Sequence, residues 1–345
     1  MMLPSALITG VAGLKLTTNE RAFFKDTHPC GLILFSRNCE NHLQIRRLVD
    51  DAKAAAGSDD LLVLIDQEGG RVQRLRPPLG RTLPPAMAYA ELWTINPNAA
   101  LAAARITARL VAHDLRGLGI NTNCAPVLDV PVPGAHDIIG NRAYGATVEQ
   151  IAALGRAVAE GYMAGGVVPV IKHIPGHGRA LSDSHLDLPS VEASHEDLSV
   201  SDFATFKLLA DMPAAMTAHV VFTALDQNAP ASTSRTVTER IIRGEIGFNG
   251  LLMSDDLSMK ALSGEMRSRA EAVIAAGSDV ALHCNGDMDE MRQAAEGVPE
   301  LKGPAMRRFL AALTIPEKQQ PFDLERAEAV LADVIAGRIP AAESV

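Results

Sequence analysis

Short apolar runs alternate with amphipathic segments along almost the whole chain. The apolar runs are predicted as strands: Ser5–Val11, Gly31–Ser36, Leu61–Gln67, Thr122–Asp129, Val167–His173, Ala214–Val221, Leu251–Asp256 and Asp279–Cys284. Within them the apolar residues are continuous rather than alternating with polar ones, as expected of strands buried on both faces. This pattern favours a parallel sheet covered by helices.

The segments between these runs are predicted as helices. His42–Gly57 is amphipathic and ends on a glycine, a common helix stop. Asn96–Gly119 is rich in Ala and Leu and starts at a capping asparagine. Further helices are predicted at Thr147–Gly166, Ser201–Asp211, Ser234–Ile246, Arg267–Ala276, Met288–Glu296 and Asp323–Gly337.

Eight strand–helix units without a Gly/Ser-rich linker predict an α/β protein, a single-domain (β/α)8 TIM-type barrel. The predicted domain covers residues 1–345, with 303–345 as a C-terminal helical extension. A doubly wound open sheet is the alternative, but the GxGxxG signature is missing after the first strand.

Composition and charge narrow the class of protein. The formal net charge of −9, without a Lys/Arg-rich run, argues against a nucleic-acid partner. The four cysteines are scattered and form no CxxC pair, so neither a disulfide framework nor a zinc knuckle is expected. The sequence shows no signal-peptide pattern and no apolar stretch of membrane-spanning length. We expect a cytoplasmic protein, monomeric, without a membrane partner.

Polar residues follow the predicted strands at one end. In a (β/α)8 barrel, functional side chains lie at the carboxyl ends of the strands. The residues found there are Asp66, Glu68, Arg71, Arg74, Asp129, Arg142, Lys172, His173, His219, Asp255, Asp256 and His283. Taken singly, Asp256 is also explained as a helix cap, and His219 and His283 as core histidines. Their accumulation at the same end of several strands favours an active site.

Four motifs stand out in this set: DQEGGRVQR from Asp66, KHIPGHG from Lys172, DSH from Asp183, and LLMSDDLSMKAL from Leu251. In their order and spacing the sequence resembles the glycoside hydrolase family 3 β-N-acetylglucosaminidases. More narrowly, it resembles the NagZ-type β-hexosaminidases of bacterial peptidoglycan recycling. The resemblance covers roughly residues 4–285; one departure is Ile174, where the family usually has Phe.

The resemblance implies a role for each matching residue. Asp255 would be the nucleophile of a retaining exo-β-N-acetylglucosaminidase, His185 the general acid/base, and Asp183 the carboxylate that orients it. Five residues would bind the terminal GlcNAc: Asp66, Arg74, Arg142, Lys172 and His173. The implied substrate is a small GlcNAc–anhydroMurNAc muropeptide fragment, and no cofactor or metal is implied.

Elementary chemistry is compatible with these roles. A retaining glycosidase needs an attacking carboxylate and a proton donor near the leaving oxygen. An imidazole with an ordinary pKa of about 6.5 suits proton transfer near neutrality. In an extended segment, Asp183 and His185 would point to the same side. We expect this glycine-rich loop to close over bound substrate, and His177 to support the loop rather than contact sugar.

Three alternatives remain open from the sequence. A metal-dependent barrel hydrolase would use His173, His177, His185 and Asp183 as ligands. An aldolase-like barrel would use Lys172 as a Schiff-base lysine. A non-catalytic aminosugar-binding protein would keep the site without the reaction. Nor does the sequence decide the aglycone preference, or whether water or phosphate is the acceptor.

Overall fold

The computed structural model describes residues 3–184 and 186–340, and its centre is a closed barrel of eight parallel strands. The strands are β1 (Ser5–Thr9), β2 (Pro29–Leu34), β3 (Leu62–Ile65), β4 (Thr122–Asn123), β5 (Val168–Ile174), β6 (Ala214–Thr217), β7 (Leu251–Asp256) and β8 (Val280–His283). Each strand pairs with the next in sequence, and β8 pairs with β1. The predicted (β/α)8 TIM-type barrel is therefore confirmed.

Helices surround the barrel. They are α1 (Thr18–Thr27), α2 (His42–Ala56), α3 (Ala86–Ile95), α4 (Pro97–Gly117), α5 (Val148–Ala164), α6 (His195–Val200), α7 (Asp202–Leu208), α8 (Met266–Ala276), α9 (Met288–Glu296), α10 (Gly303–Leu313) and α11 (Leu324–Ile335). Local signals set several of their ends. The Asn41 side chain accepts a hydrogen bond from the Gln44 N–H at the start of α2, and Gly57 ends the helix with φ of 69°.

The strands supply two apolar clusters in alternation. Leu7 packs in the larger cluster and its neighbour Ile8 in the smaller, as the two-residue period of a strand requires. Phe309 of α10 joins the smaller cluster. At the same end, the Leu301 N–H donates to the Pro4 carbonyl just before β1. Helix α10 therefore covers the amino end of the barrel, and the opposite end carries the polar residues.

Three predicted elements differ from the structure. The sixth predicted strand, Ala214–Val221, is regular only over β6 (Ala214–Thr217). The fourth predicted strand, Thr122–Asp129, is regular only over β4, because Pro126 has no N–H to donate to a neighbouring strand. The predicted α-helix at Ser234–Ile246 is a π-helix over Val237–Glu245, in which the Ile246 N–H donates to the Ile241 carbonyl. Helices α1, α3 and α6 are not among the predicted elements.

Within residues 3–184 and 186–340, no helix combines the length and apolar character needed to cross a membrane.

Candidate active site

A buried network of charges occupies the carboxyl end of the barrel. The Lys172 side chain, at the end of β5, is 3% exposed and lies between two carboxylates. Its Nζ is 2.9 Å from Asp66 Oδ1 and 2.7 Å from Glu68 Oε1. Asp66 and Glu68 are two residues apart after β3, and in extended chain this spacing puts both side chains on the same side.

Two arginines complete the network. Arg74 Nη2 donates to Asp66 Oδ2 at 2.9 Å. Arg142 binds Glu68 with both Nε (2.9 Å) and Nη2 (2.8 Å), a bidentate pair that fixes the plane of the guanidinium. Loops after β3 and β4 thus converge on Lys172.

Electrostatics keep Asp66, Glu68 and Lys172 charged. Burial alone would favour the neutral form of each group. For Asp66, Lys172 and Arg74 outweigh burial and hold the carboxyl pKa below its usual range. For Glu68, Arg142 and Lys172 likewise lower the pKa to about 2. The two carboxylates in turn raise the Lys172 pKa above its ordinary value despite its burial.

A second cluster centres on Asp129, which follows β4 and is fully buried. Its Oδ2 lies 2.7 Å from His173 Nδ1, and its Oδ1 accepts the N–H groups of His173 (3.2 Å) and His177 (2.7 Å). Burial raises the pKa of Asp129, but the neighbouring His173 outweighs it and the net shift is downward. This carboxylate fixes the orientation of the His173 ring.

The two adjacent aspartates at the end of β7 differ in their contacts. The Asp256 carboxylate accepts the N–H groups of Ser258 and Cys284, each at 3.0 Å, and the Ser258 hydroxyl. It ties β7 to β8 and caps a turn. Asp256 does not cap a helix, as the sequence alone allowed, because α8 begins only at Met266. Asp255 Oδ1 accepts the Asp256 N–H at 2.8 Å. Both aspartates line the cavity described next.

One cavity of about 600 Å³ opens at this end of the barrel. Six residues to which the resemblance gives a role line it: Asp66, Arg74, Arg142, Lys172, His173 and Asp255. Glu68 lines it as well, although the sequence motif gave it no role. Its position two residues after Asp66 is the signal that identifies it. The volume is within the range of roughly 300–1,000 Å³ typical of small-molecule sites.

The loop after β5 carries the remaining predicted residues. Asp183 is half-buried and does not line the cavity. His185 lies outside the described residues. Nε2 of His177 lies 3.0 Å from Ser184 Oγ within the loop, which confirms that His177 supports the loop.

Two other histidines at strand ends are core residues, which is the alternative that the sequence offered for them. His219 is fully buried, with Nδ1 2.7 Å from Ser232 Oγ and Nε2 3.1 Å from the Asp256 carbonyl. His283 is also buried, and its Nε2 lies 3.2 Å from Glu290 Oε2.

The metal-ligand alternative receives no support from the described residues, among which no group of three or more His, Cys, Asp and Glu could hold a metal ion. The His173 ring is directed to Asp129 and that of His177 to Ser184. Lys172 is engaged by two carboxylates, which stabilise its ammonium form and oppose Schiff-base formation.

A family model decides the assignment. The model for the glycosyl hydrolase family 3 N-terminal domain matches residues 4–314. The chain belongs to glycosyl hydrolase family 3. It is therefore a glycoside hydrolase, and enzymes with this barrel fold carry their active sites at the carboxyl end of the strands.

Family 3 relatives match most of the chain. A β-hexosaminidase from Bordetella avium is 35% identical over 346 residues, 97% of each chain. Another, from Methylococcus capsulatus, is 39% identical over 279 residues, 80% of this chain and 81% of the relative.

Solved family 3 structures share the architecture. The structure of NagZ from Neisseria gonorrhoeae in complex with N-trifluoroacetyl-D-glucosamine superimposes with a TM-score of 0.86 at 31% identity, covering 96% of this chain and 98% of that one. A family 3 β-N-acetylglucosaminidase from a Paenibacillus species gives 0.84 at 30% identity, covering 96% and 67%.

Proposed function

We propose that this glycoside hydrolase is a retaining exo-β-N-acetylglucosaminidase. It removes the non-reducing terminal GlcNAc from small peptidoglycan fragments, GlcNAc–1,6-anhydroMurNAc muropeptides, through a covalent glycosyl-enzyme intermediate. One observation carries the proposal: Asp255 and five charged or imidazole side chains line a single cavity at the carboxyl end of the barrel.

The charge network binds the sugar. A pyranose presents hydroxyl groups that both donate and accept hydrogen bonds, and bonds to charged partners are the stronger ones. Asp66 accepts from sugar hydroxyls, while Arg74 and Lys172 donate. Arg142 and His173 complete the contacts with the sugar and its acetamido group. Since these side chains are already held by one another, little ordering is needed when substrate binds.

Asp255 attacks the anomeric carbon. It follows the apolar part of β7 and lines the cavity together with Asp256, whose carboxylate accepts two backbone N–H groups and a hydroxyl. Asp256 thus holds the strand end in place, and Asp255 performs the nucleophilic step.

His185 protonates the departing oxygen and later activates water, and Asp183 orients its ring. The loop that carries them closes over bound substrate. Closure would bring Asp183 from its position outside the cavity towards the sugar.

Cell-wall recycling in the cytoplasm is the role that this activity suggests, because the NagZ structure of Neisseria gonorrhoeae is among the similar ones. We further propose that the enzyme acts as a monomer on a small-molecule substrate without a cofactor or metal. The arrangement as one catalytic domain, with 303–345 as an extension, belongs to the same proposal.

The test is release of 4-nitrophenol from 4-nitrophenyl β-N-acetylglucosaminide with EDTA present throughout. We expect turnover in chelator and a loss of at least ~10³-fold in Asp255→Ala. The matched control is Asp211→Ala, which removes an exposed aspartate paired with Arg156 on the surface. Activity that disappears in EDTA, or survives in Asp255→Ala, would contradict the proposal.

A further inference from the structure

Two buried polar side chains meet inside the loop that follows β5. His177 and Ser184 are 3% and 2% exposed, and Nε2 of the first lies 3.0 Å from Oγ of the second. Other side chains of this loop face solvent, such as Leu181 and Leu186 at 71% and 67% exposed. The His177–Ser184 hydrogen bond is therefore an internal anchor in an otherwise exposed segment.

The His177 end of this bond is fixed to the barrel. Its backbone N–H donates to Asp129 Oδ1 at 2.7 Å, the same carboxylate that holds His173. The next residue, Gly178, lies so close to the chain after β4 that a Cβ there would be 1.9 Å from the Val130 carbonyl oxygen. A side chain at this position would push the backbone away, so only glycine allows this contact.

The Ser184 end lies in the turn that carries the proposed proton-transfer pair. The Asp183 carbonyl accepts the N–H groups of Leu186 (2.9 Å) and Asp187 (3.0 Å), which tightens the chain here. Ser184 is covalently joined to Asp183 on one side and to His185 on the other. Holding its side chain restricts the backbone of Asp183.

We propose that the His177–Ser184 hydrogen bond is kept as the loop closes and then positions Asp183, and through it His185, for proton transfer, so that His177 and Ser184 are positioning residues of the reaction. The proposal rests on the function proposed above. It links the rigid barrel, through Asp129 and His177, to the loop that delivers the proton.

The state of the His177 ring suits this task. Burial first, and then the nearby His173, lower its pKa to about 4, while Asp129 and Asp255 oppose the shift. The ring is therefore neutral at working pH. Among the described residues its Nδ1 has no hydrogen-bond partner. We assign the hydrogen to Nε2, because the other tautomer would bury an unpaired N–H. Nε2–H then donates to Ser184 Oγ.

Leaving groups separate positioning of the proton donor from a general structural role. As the glycosidic C–O bond breaks, a poor leaving group needs a proton on its oxygen, whereas 2,4-dinitrophenolate departs without one. The value of kcat/KM reports this first step alone. A misplaced acid therefore reduces kcat/KM for the GlcNAc–anhydroMurNAc disaccharide and phenyl glycoside, and leaves that of the dinitrophenyl glycoside nearly unchanged.

Ser184→Ala is the main variant. We expect kcat/KM to fall ~10- to 100-fold on the disaccharide and phenyl glycoside, and less than ~3-fold on 2,4-dinitrophenyl β-N-acetylglucosaminide. On the dinitrophenyl substrate kcat also falls, since the second step needs the same group as base, and azide as an acceptor restores it. Ser184→Thr, which keeps the hydroxyl, retains more activity on the phenyl glycoside than Ser184→Ala.

Two further variants provide the controls. Ser182→Ala removes a half-buried hydroxyl one residue before Asp183. We expect it to leave kcat/KM unchanged on the disaccharide, the phenyl glycoside and the dinitrophenyl glycoside. His177→Gln should reproduce the pattern of Ser184→Ala, and the double variant should lose no more than either single one, because both remove one bond. Ser184→Thr keeps the test valid if Ser184→Ala folds poorly.

The outcomes are distinct. Equal losses on all substrates in Ser184→Ala, or no loss on any, overturn the positioning role while the wild-type activity upholds the proposed function. Wild-type protein that cleaves none of these glycosides would overturn the proposed function, and the positioning role with it.

Discussion

Lys172 and Asp66 form a buried ion pair, 2.9 Å between Nζ and Oδ1, although 106 residues separate them in sequence. The pair joins β5 to the end of β3 across the mouth of the barrel. Glu68 contacts the same ammonium at 2.7 Å, so a single lysine holds two carboxylates inside the protein.

Removing that lysine should destabilise the fold as well as abolish activity. In Lys172→Met, Asp66 and Glu68 remain buried without their shared cation. Breaking a buried pair from one side costs about 3–5 kcal/mol. Urea unfolding followed by circular dichroism should show the loss in the free energy of unfolding.

The control for Lys172→Met is Arg156→Met, which breaks an exposed pair with Asp211. An exposed pair contributes ~1 kcal/mol or less, so this variant should unfold close to wild type. Equal midpoints for Lys172→Met and wild type would show that the buried network does not stabilise the protein.

Glu68 should matter for substrate binding through Arg142. Glu68→Gln keeps the shape of the side chain and removes the charge that holds the guanidinium in two hydrogen bonds. We expect KM to rise and kcat/KM to fall by ~10-fold or more. Steady-state kinetics with the 4-nitrophenyl glycoside measures both values.

A matched charge removal is available for Glu68→Gln. Glu328 lies on α11 and forms an exposed pair with Arg81. Glu328→Gln disrupts this pair and should leave KM and kcat/KM unchanged. If Glu68→Gln behaved like Glu328→Gln, Arg142 would need no carboxylate partner to act.

The free energy of unfolding should decrease as the pH is lowered from 6.5 to 4. Burial lowers the pKa of His177 to about 4 and that of His219 below its ordinary value. In this window the unfolded chain binds protons that the folded protein excludes, so stability is complete above pH 6.5 and is lost as pH falls. The slope is up to ~1.4 kcal/mol per pH unit for each such histidine.

Urea midpoints measured from pH 4 to pH 7 check this expectation. The slope should be smaller in His177→Gln than in wild type. A midpoint that stayed constant between pH 6.5 and pH 5 would contradict the neutral, buried state of His177.

The sequence predicts the barrel well because its signal is local and repeated. Strand β7 has the predicted bounds, since its apolar residues end abruptly at Asp255 and Asp256. The predicted fourth strand is too long. Thr122–Asp129 is buried throughout and mostly apolar, and this is true whether or not its hydrogen bonds form a ladder. Periodicity reports burial and not hydrogen-bond pattern.

The sequence singles out residues that line the cavity, but not the contacts between them. Arg142 and Glu68 are 74 residues apart, and no local pattern pairs them. For the same reason the sequence predicts that His177 supports the loop, but it does not identify Ser184 as the partner of His177. Contacts between loops depend on how the strands are placed around the barrel, which sequence spacing alone does not give.

Covalent attachment of the sugar to Asp255 tests the account most directly. In His185→Ala the second step lacks its base, so 2,4-dinitrophenyl β-N-acetylglucosaminide should glycosylate the enzyme faster than water releases it. Intact-mass spectrometry of the rapidly quenched protein should show one added N-acetylhexosaminyl unit, and peptide mapping should locate it on Asp255. An adduct on another residue, or turnover with inversion at the anomeric carbon and no adduct, would contradict the proposed mechanism.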